Sequence, residues 1–145
     1  HLAAVLFDKA PSELDHLNNQ TFRSVALIGA NADQTVTLME HASAGQYLAW
    51  AIRQPLSAEA DMRQAADKLK VAHPACALMF SCIGRGPFFY GGEDRDLNIL
   101  RERFPKLPIL GTYGTGQIAP LTLRGKTSNL ELQNSVVVSI IGKKA

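Results

Sequence analysis

Residues Ala75–Gly92 read ACALMFSCIGRGPFFYGG. An apolar strand there runs straight into Ser81, Cys82 and Arg85 on a glycine-rich loop. Ala77 to Phe80 carry no polar alternation, a pattern that predicts a strand buried on both faces. Its far end then delivers a hydroxyl, a thiol and a guanidinium to one place on the rim of a sheet. In layered α–β domains, ligands sit at such rims, where strands end. The stretch predicts a pocket. It does not by itself predict a reaction.

On the N-terminal side, Ser57 is placed to cap a helix running to about Val71. Glu59 and Asp61 fall in its first turns and Lys68 and Lys70 in its last, a polarity that suits the helix dipole. Its apolar stripe is Ala58, Met62, Ala65 or Ala66, and Leu69. Pro74 separates this helix from the strand. On the C-terminal side a second helix fits Asp94 to Phe104, with Leu97, Leu100 and Phe104 inward and Pro105 ending it. Pro108 to Ile118 is a strand passing into the glycine loop Gly111–Gln117. Leu130 to Ile141 begins with alternation and ends as the continuous run Val136–Ile141.

The first third reads differently. His1 to Phe7 is a strand, and Pro11, Ser12 and Asp15 suggest a short helix with a capping-box start. Phe22 to Gly29 is apolar, and Asn31-Ala32-Asp33 is turn chemistry. Thr35 to Glu40 and Tyr47 to Arg53 alternate, with Leu48, Trp50 and Ile52 on one face. Short alternating strands joined by tight turns favour antiparallel pairing. The expected fold is α+β: a layered sandwich with a mainly antiparallel or mixed sheet and two main helices.

The 145 residues suffice for one domain with a real core. With 46% hydrophobic and 19% charged residues, the chain reads as a soluble globular domain. A net charge of +2, with Lys143 and Lys144 the only adjacent basic pair, gives no nucleic-acid footprint. No run of 18 apolar residues and no signal peptide is present, so no membrane contact is expected of this stretch. Cys76 and Cys82 would share one face of the strand roughly 20 Å apart, too far for a disulfide, so reduced intracellular thiols are expected. The chain opens on His1 inside a strand pattern, which suggests a piece excised from a longer protein.

Three blocks carry a resemblance to a known family. They are Leu78-Met79-Phe80-Ser81-Cys82-x-Gly84-Arg85, then Pro108 to Pro120 (PILGTYGTGQIAP), then Gln133-Asn134-Ser135-Val136. They resemble, in order, the S-C-x-G-R strand end, the P-x-x-G-x-x-x-x-G-E-I-x-P block and the H-N-Q-T segment of the C-terminal half of the FIST domain. That domain is a sensory module of bacterial signalling proteins, also found in F-box proteins. Gln117 stands where the family often has Glu, and Ser135 follows Asn134 where Gln and Thr are usual. The resemblance implies a single FIST C-type domain over 1–145 that senses a small molecule, with amino acids the leading suggestion. It implies a cytoplasmic protein in which the N-terminal half of the module and an output domain are partners. It does not imply an enzyme.

Each feature has a plainer reading beside the functional one. Arg85 between Gly84 and Gly86 suits a carboxylate ligand through two parallel hydrogen bonds, or an internal salt bridge to Glu93, Asp94 or Asp96. Cys82 as a nucleophile would need a base or a helix N-terminus beside it, and a packed thiol is the favoured reading. Ser81 lacks a G-x-S-x-G elbow. The glycine loops match neither G-x-G-x-x-G nor the P-loop, and Glu93, Asp94 and Asp96 at the next helix start would repel phosphate. The four histidines and two cysteines form no metal-ligand spacing, so no metal or cofactor is expected. Tyr113 and Asn134 suit a pocket wall, and Phe88-Phe89-Tyr90 reads as a lid, a docking contact or a core plug.

The reading favoured is a non-catalytic sensor for an amino acid or small carboxylate. Its ligand-binding residues would be Ser81, Cys82, Gly84, Arg85, Gly111, Tyr113, Gly116, Gln117 and Asn134. The alternatives are a protein-interaction or dimerisation module and, last, a Cys82-dependent enzyme.

Overall fold

The computed structural model describes residues 2–10, 22–123 and 126–143. The chain divides into two compact units, His1–Gln54 and Pro55–Ala145. In the first, β1 (Leu2–Phe7) lies between β2 (Arg23–Val25) and β5 (Tyr47–Ile52), antiparallel to both. β3 (Leu27–Ala30) and β4 (Val36–Leu38) form a separate hairpin. Its turn is held by Asp33, whose Oδ1 accepts from the Thr35 amide at 3.1 Å and hydroxyl at 2.7 Å. The expected Phe22–Gly29 segment thus divides at Ala26 into two strands with different partners. The helix expected from Ser12 lies outside the described residues. Leu48, Trp50 and Ile52 do share a face of β5, and all three are exposed.

The second unit carries the two helices. α1 is Pro55–Lys68, and β6, His73–Cys82, follows it. α2 is Arg95–Arg103 and β7 is Ile109–Gly114. β8 (Gln117–Leu123) and β9 (Lys126–Leu132) pair as a hairpin, and β10 (Val136–Lys143) follows. β6 is central in a mixed sheet, parallel to β7 and antiparallel to β10. The architecture is the expected α+β sandwich with two main helices and mixed sheets.

Both helices cover one face of that sheet. Met79 of β6 meets Met62 and Ala66 of α1 and Ile99 and Leu100 of α2, with Leu69, Phe104, Ile109, Val136 and Val138 packed around them. Burying such side chains contributes about 1.5–3 kcal/mol each. The expectation that β6 is buried on both faces is corrected here, because Phe80, on the opposite face from Met79, is 39% exposed. An unbroken apolar run shows that a strand avoids charge, not that a second layer covers it. α1 also starts earlier than expected: Pro55 occupies its first position, where the missing N–H costs nothing, so no acid falls in its first turn. β6 likewise begins at His73 and includes Pro74. Among the described residues, no helix is long and apolar enough to cross a membrane.

Candidate ligand site at the ends of β6 and β7

β6 and β7 run in register, pairing Ser81 with Tyr113 and Cys82 with Gly114, so both strands end at one rim. β10 begins at the same rim, with Val136 opposite Ser81. Three connections converge there: the loop after Cys82, the Thr115-Gly116 turn and the turn 133–135. Asn134 makes the last turn possible with φ at 52°, a left-handed conformation that Asn tolerates better than most residues.

Two polar side chains are buried at this rim. Ser81 is 2% exposed and Gln117 is 5% exposed. The Ser135 hydroxyl lies 3.3 Å from Gln117 Oε1 and 3.0 Å from the Leu132 carbonyl oxygen. The Ser135 carbonyl accepts the Cys82 amide at 2.9 Å. The Cys82 thiol is buried and faces the Thr115 carbonyl oxygen at 3.6 Å. Ser81, Cys82, Gly116, Gln117 and Asn134 are therefore neighbours on this rim. Ser135 belongs with them and was not singled out from sequence. Its only signal was its place in the third family block, where it departs from the usual residues.

Arg85 faces elsewhere. Its Nε donates to Asp96 Oδ2 at 2.8 Å, and its Nη2 donates to Asp96 Oδ1 at 3.1 Å and to the Ala58 carbonyl at 2.6 Å. Asp96 is fully buried and also accepts the Tyr90 hydroxyl at 2.8 Å. Burial works against the guanidinium's charge, yet Asp96 outweighs it and the pKa is raised. Of the two readings of Arg85, the internal salt bridge is the one present. The Tyr90 phenol is pushed above its ordinary range, first by burial and then by the bond to Asp96.

Tyr113 is also engaged, its hydroxyl donating to Asp94. Asp94 caps α2 by accepting the Leu97 amide at 3.1 Å. Gly111 lies inside β7 opposite Met79 and not at the rim, where sequence reasoning had put it. It is glycine because a Cβ there would fall on the Met79 carbonyl oxygen. Gly84 belongs to the short 3₁₀ turn Ile83–Arg85 that carries the chain away from β6. Of the aromatic trio, Phe89 and Tyr90 are buried against each other and Phe88 is exposed.

Comparison with known proteins agrees with this outline. The family model described as the FIST C domain matches residues 5–120. An uncharacterised protein of Mycobacterium bovis is 27% identical over 114 residues, covering 73% of this chain and 30% of that protein. An uncharacterised protein of Mycobacterium tuberculosis is 25% identical over the same shares of the two chains. The human protein named F-box only protein 22 is 31% identical over 72 residues, covering 46% of this chain and 18% of that protein. The chain thus spans about a third of the length of the mycobacterial relatives it matches.

Proposed function

Since the chain belongs to the FIST C domain family, a family of sensory domains, we propose that it recognises a small polar molecule, an amino acid in the first instance. It would do so as part of a cytoplasmic signalling protein, making and breaking no covalent bond. The observation that carries this reading is the enclosed Gln117 amide beside the Ser135 hydroxyl, at the rim where two parallel strands end at Cys82 and Gly114. Neutral polar groups brought together at such a rim suit orientation of a ligand by hydrogen bonds. Gln117 presents both a donor and an acceptor, and can therefore meet either a carboxylate or an amine.

Arg85 acts in this reading as a positioning residue. A ligand carboxylate that claimed its fork would leave Asp96 buried and unpaired, at a cost of about 3–5 kcal/mol. Holding the loop frame is the cheaper use of the guanidinium. The Ser81, Cys82, Gly84, Gly116, Gln117 and Asn134 rim then meets the ligand, and Tyr113 supports the loop from Asp94. Signalling would follow if the ligand favours one arrangement of the three converging turns over another, since only differential affinity shifts such an equilibrium.

Amide NMR spectra recorded while adding each of the twenty amino acids test the assignment. Shifts concentrated at Gly84, Gly116, Gln117 and Asn134 are expected for at least one of them. Shifts scattered elsewhere, or none for any amino acid, would contradict it.

A further inference from the structure

We infer that the rim takes its ligand by an ammonium group and not by a carboxylate. The inference rests on the reading of this rim as a ligand site and names the chemistry that the site selects. Its donors are already engaged. The Ser81 hydroxyl donates to the Cys82 carbonyl oxygen at 3.5 Å, and the Cys82 thiol to that of Thr115 at 3.6 Å. The Tyr113 hydroxyl is held by Asp94, and the Arg85 fork by Asp96. The Ser135 hydroxyl lies 3.0 Å from the Leu132 carbonyl oxygen and 3.3 Å from the Gln117 amide. A hydroxyl has a single proton and a carbonyl can only accept, so the closer contact takes it. The Ser135 oxygen is then an acceptor toward Gln117. Hydrogen bonds of this kind tell the two ends of a carboxamide apart, and here they turn the NH2 to Ser135 and the amide oxygen away from it.

That outer end of the amide lies 3.7 Å from the Cβ position of Gly114, and the Gly116 carbonyl oxygen lies 3.5 Å from the same point. Gln117 is 5% exposed, and its outer end has no hydrogen-bond partner among the described residues. It is nonetheless not sealed off, since no described side-chain polar atom is both buried and unpartnered. A nearly buried side chain thus aims one oxygen into an open notch over Gly114, where a polar partner is called for. Gly114 has no positive φ, and a Cβ there would make only ordinary contacts. What glycine supplies at this position is space.

The charge beside the notch has the matching sign. Glu131 Oε1 lies 3.2 Å from the Cβ position of Gly116, on the same turn. Its carboxylate has no hydrogen-bond or ion-pair partner among the described residues. The nearest basic residues in sequence are placed elsewhere. Arg85 is engaged by Asp96, Lys126 stands opposite Leu123 at the far end of the β8–β9 hairpin, and Lys143 stands opposite His73 at the far end of β6. An ammonium group is all donor and no acceptor, so two carbonyl oxygens and a free carboxylate suit it. A ligand carboxylate in the same notch would meet acceptors and like charge. An amino acid therefore enters amine first, with its own carboxylate toward solvent.

Amide NMR titration of the chain with matched compounds tests the inference: the twenty amino acids, their N-acetyl derivatives, and the corresponding amines that lack the carboxylate. For each side chain that shifts Gly114, Gly116 and Gln117, the amine should bind about as tightly as the amino acid, and the N-acetyl derivative should not bind. Glu131→Gln, at an exposed position, should weaken amine binding about fivefold at low salt, the size expected of one exposed charge pair. Gly114→Ala should fill the notch and abolish binding, while its thermal unfolding without ligand stays close to that of the parent. N-acetyl derivatives binding as tightly as the free amino acids would overturn the inference and leave the ligand site standing. So would unchanged amine affinity in either variant. No response to any of these compounds would overturn the site reading itself, and this inference with it.

Discussion

Arg85 and Asp96 close a two-pronged ion pair, Nε to Oδ2 at 2.8 Å and Nη2 to Oδ1 at 3.1 Å, around a carboxylate that no solvent reaches. The pair ties the loop after β6 to α2. Through the bond from Arg85 to the Ala58 carbonyl it also ties that loop to α1. The rim of the sheet is thereby fixed to both helices by one side chain.

Removing either partner should therefore be costly. Arg85→Ala is expected to lower stability by about 3–5 kcal/mol in urea unfolding, because Asp96 would be left charged and buried. The double variant Arg85→Met with Asp96→Leu should recover most of that loss. A double variant no more stable than Arg85→Ala would show that the pair is not what holds the loop.

Alkaline behaviour follows from two tyrosines. The Tyr90 and Tyr113 phenols are both raised above their ordinary value of 10.0, each by burial first and then by donating to Asp96 and Asp94 respectively. A raised folded-state pKa gives stability that is complete below the unfolded value and is lost as pH rises beyond it. Stability should thus decline above pH 10, with phenolate absorbance from these two residues delayed until the chain opens. Tyr90→Phe should remove one delayed phenol. Early ionisation of both phenols in the folded chain would contradict the assignment.

Two glycines offer a contrast. Gly111→Ala would place a methyl on the Met79 backbone and force β7 away from β6, a loss expected to reach about 4 kcal/mol or more. Gly29→Ala meets nothing within 4 Å and should be neutral or stabilising by about 0.4–1 kcal/mol. Thermal unfolding of the two variants side by side checks both.

At Asn134 the backbone conformation sets the outcome. Asn134→Gly should change stability by less than about 0.5 kcal/mol, whereas Asn134→Val should cost about 1–2 kcal/mol at φ 52°. Equal effects of the two would mean that the turn relaxes.

Much of the second unit was legible because its signals are local. The apolar run of β6, the acids at the start of α2 and Pro105 after it each act within a few residues, and the FIST C blocks fell near strand ends. Long-range choices were less legible. Arg85 had three acidic candidates within reach, and only the packing of α2 selects Asp96, which from sequence reads as one more acid at a helix start. Ser57 looked like a cap until Pro55 took the first helical position. Ser135 was legible only as a departure from the third family block, since its role depends on β8 and β10 arriving at one rim. Phe88 could not be told from Phe89 and Tyr90, because adjacent aromatics on a turning loop diverge only once φ values are set.

A thermal-shift panel of the twenty amino acids and short carboxylic acids, run on the parent chain and on Gln117→Leu, tests the sensory account most directly. A ligand at a hundred times its dissociation constant should stabilise the parent by about 2.7 kcal/mol. The account predicts such a shift for at least one compound and its loss in Gln117→Leu, whose apolar side chain lacks the amide. No shift with any compound, or an equal shift in the variant, would contradict a ligand site at the ends of β6 and β7.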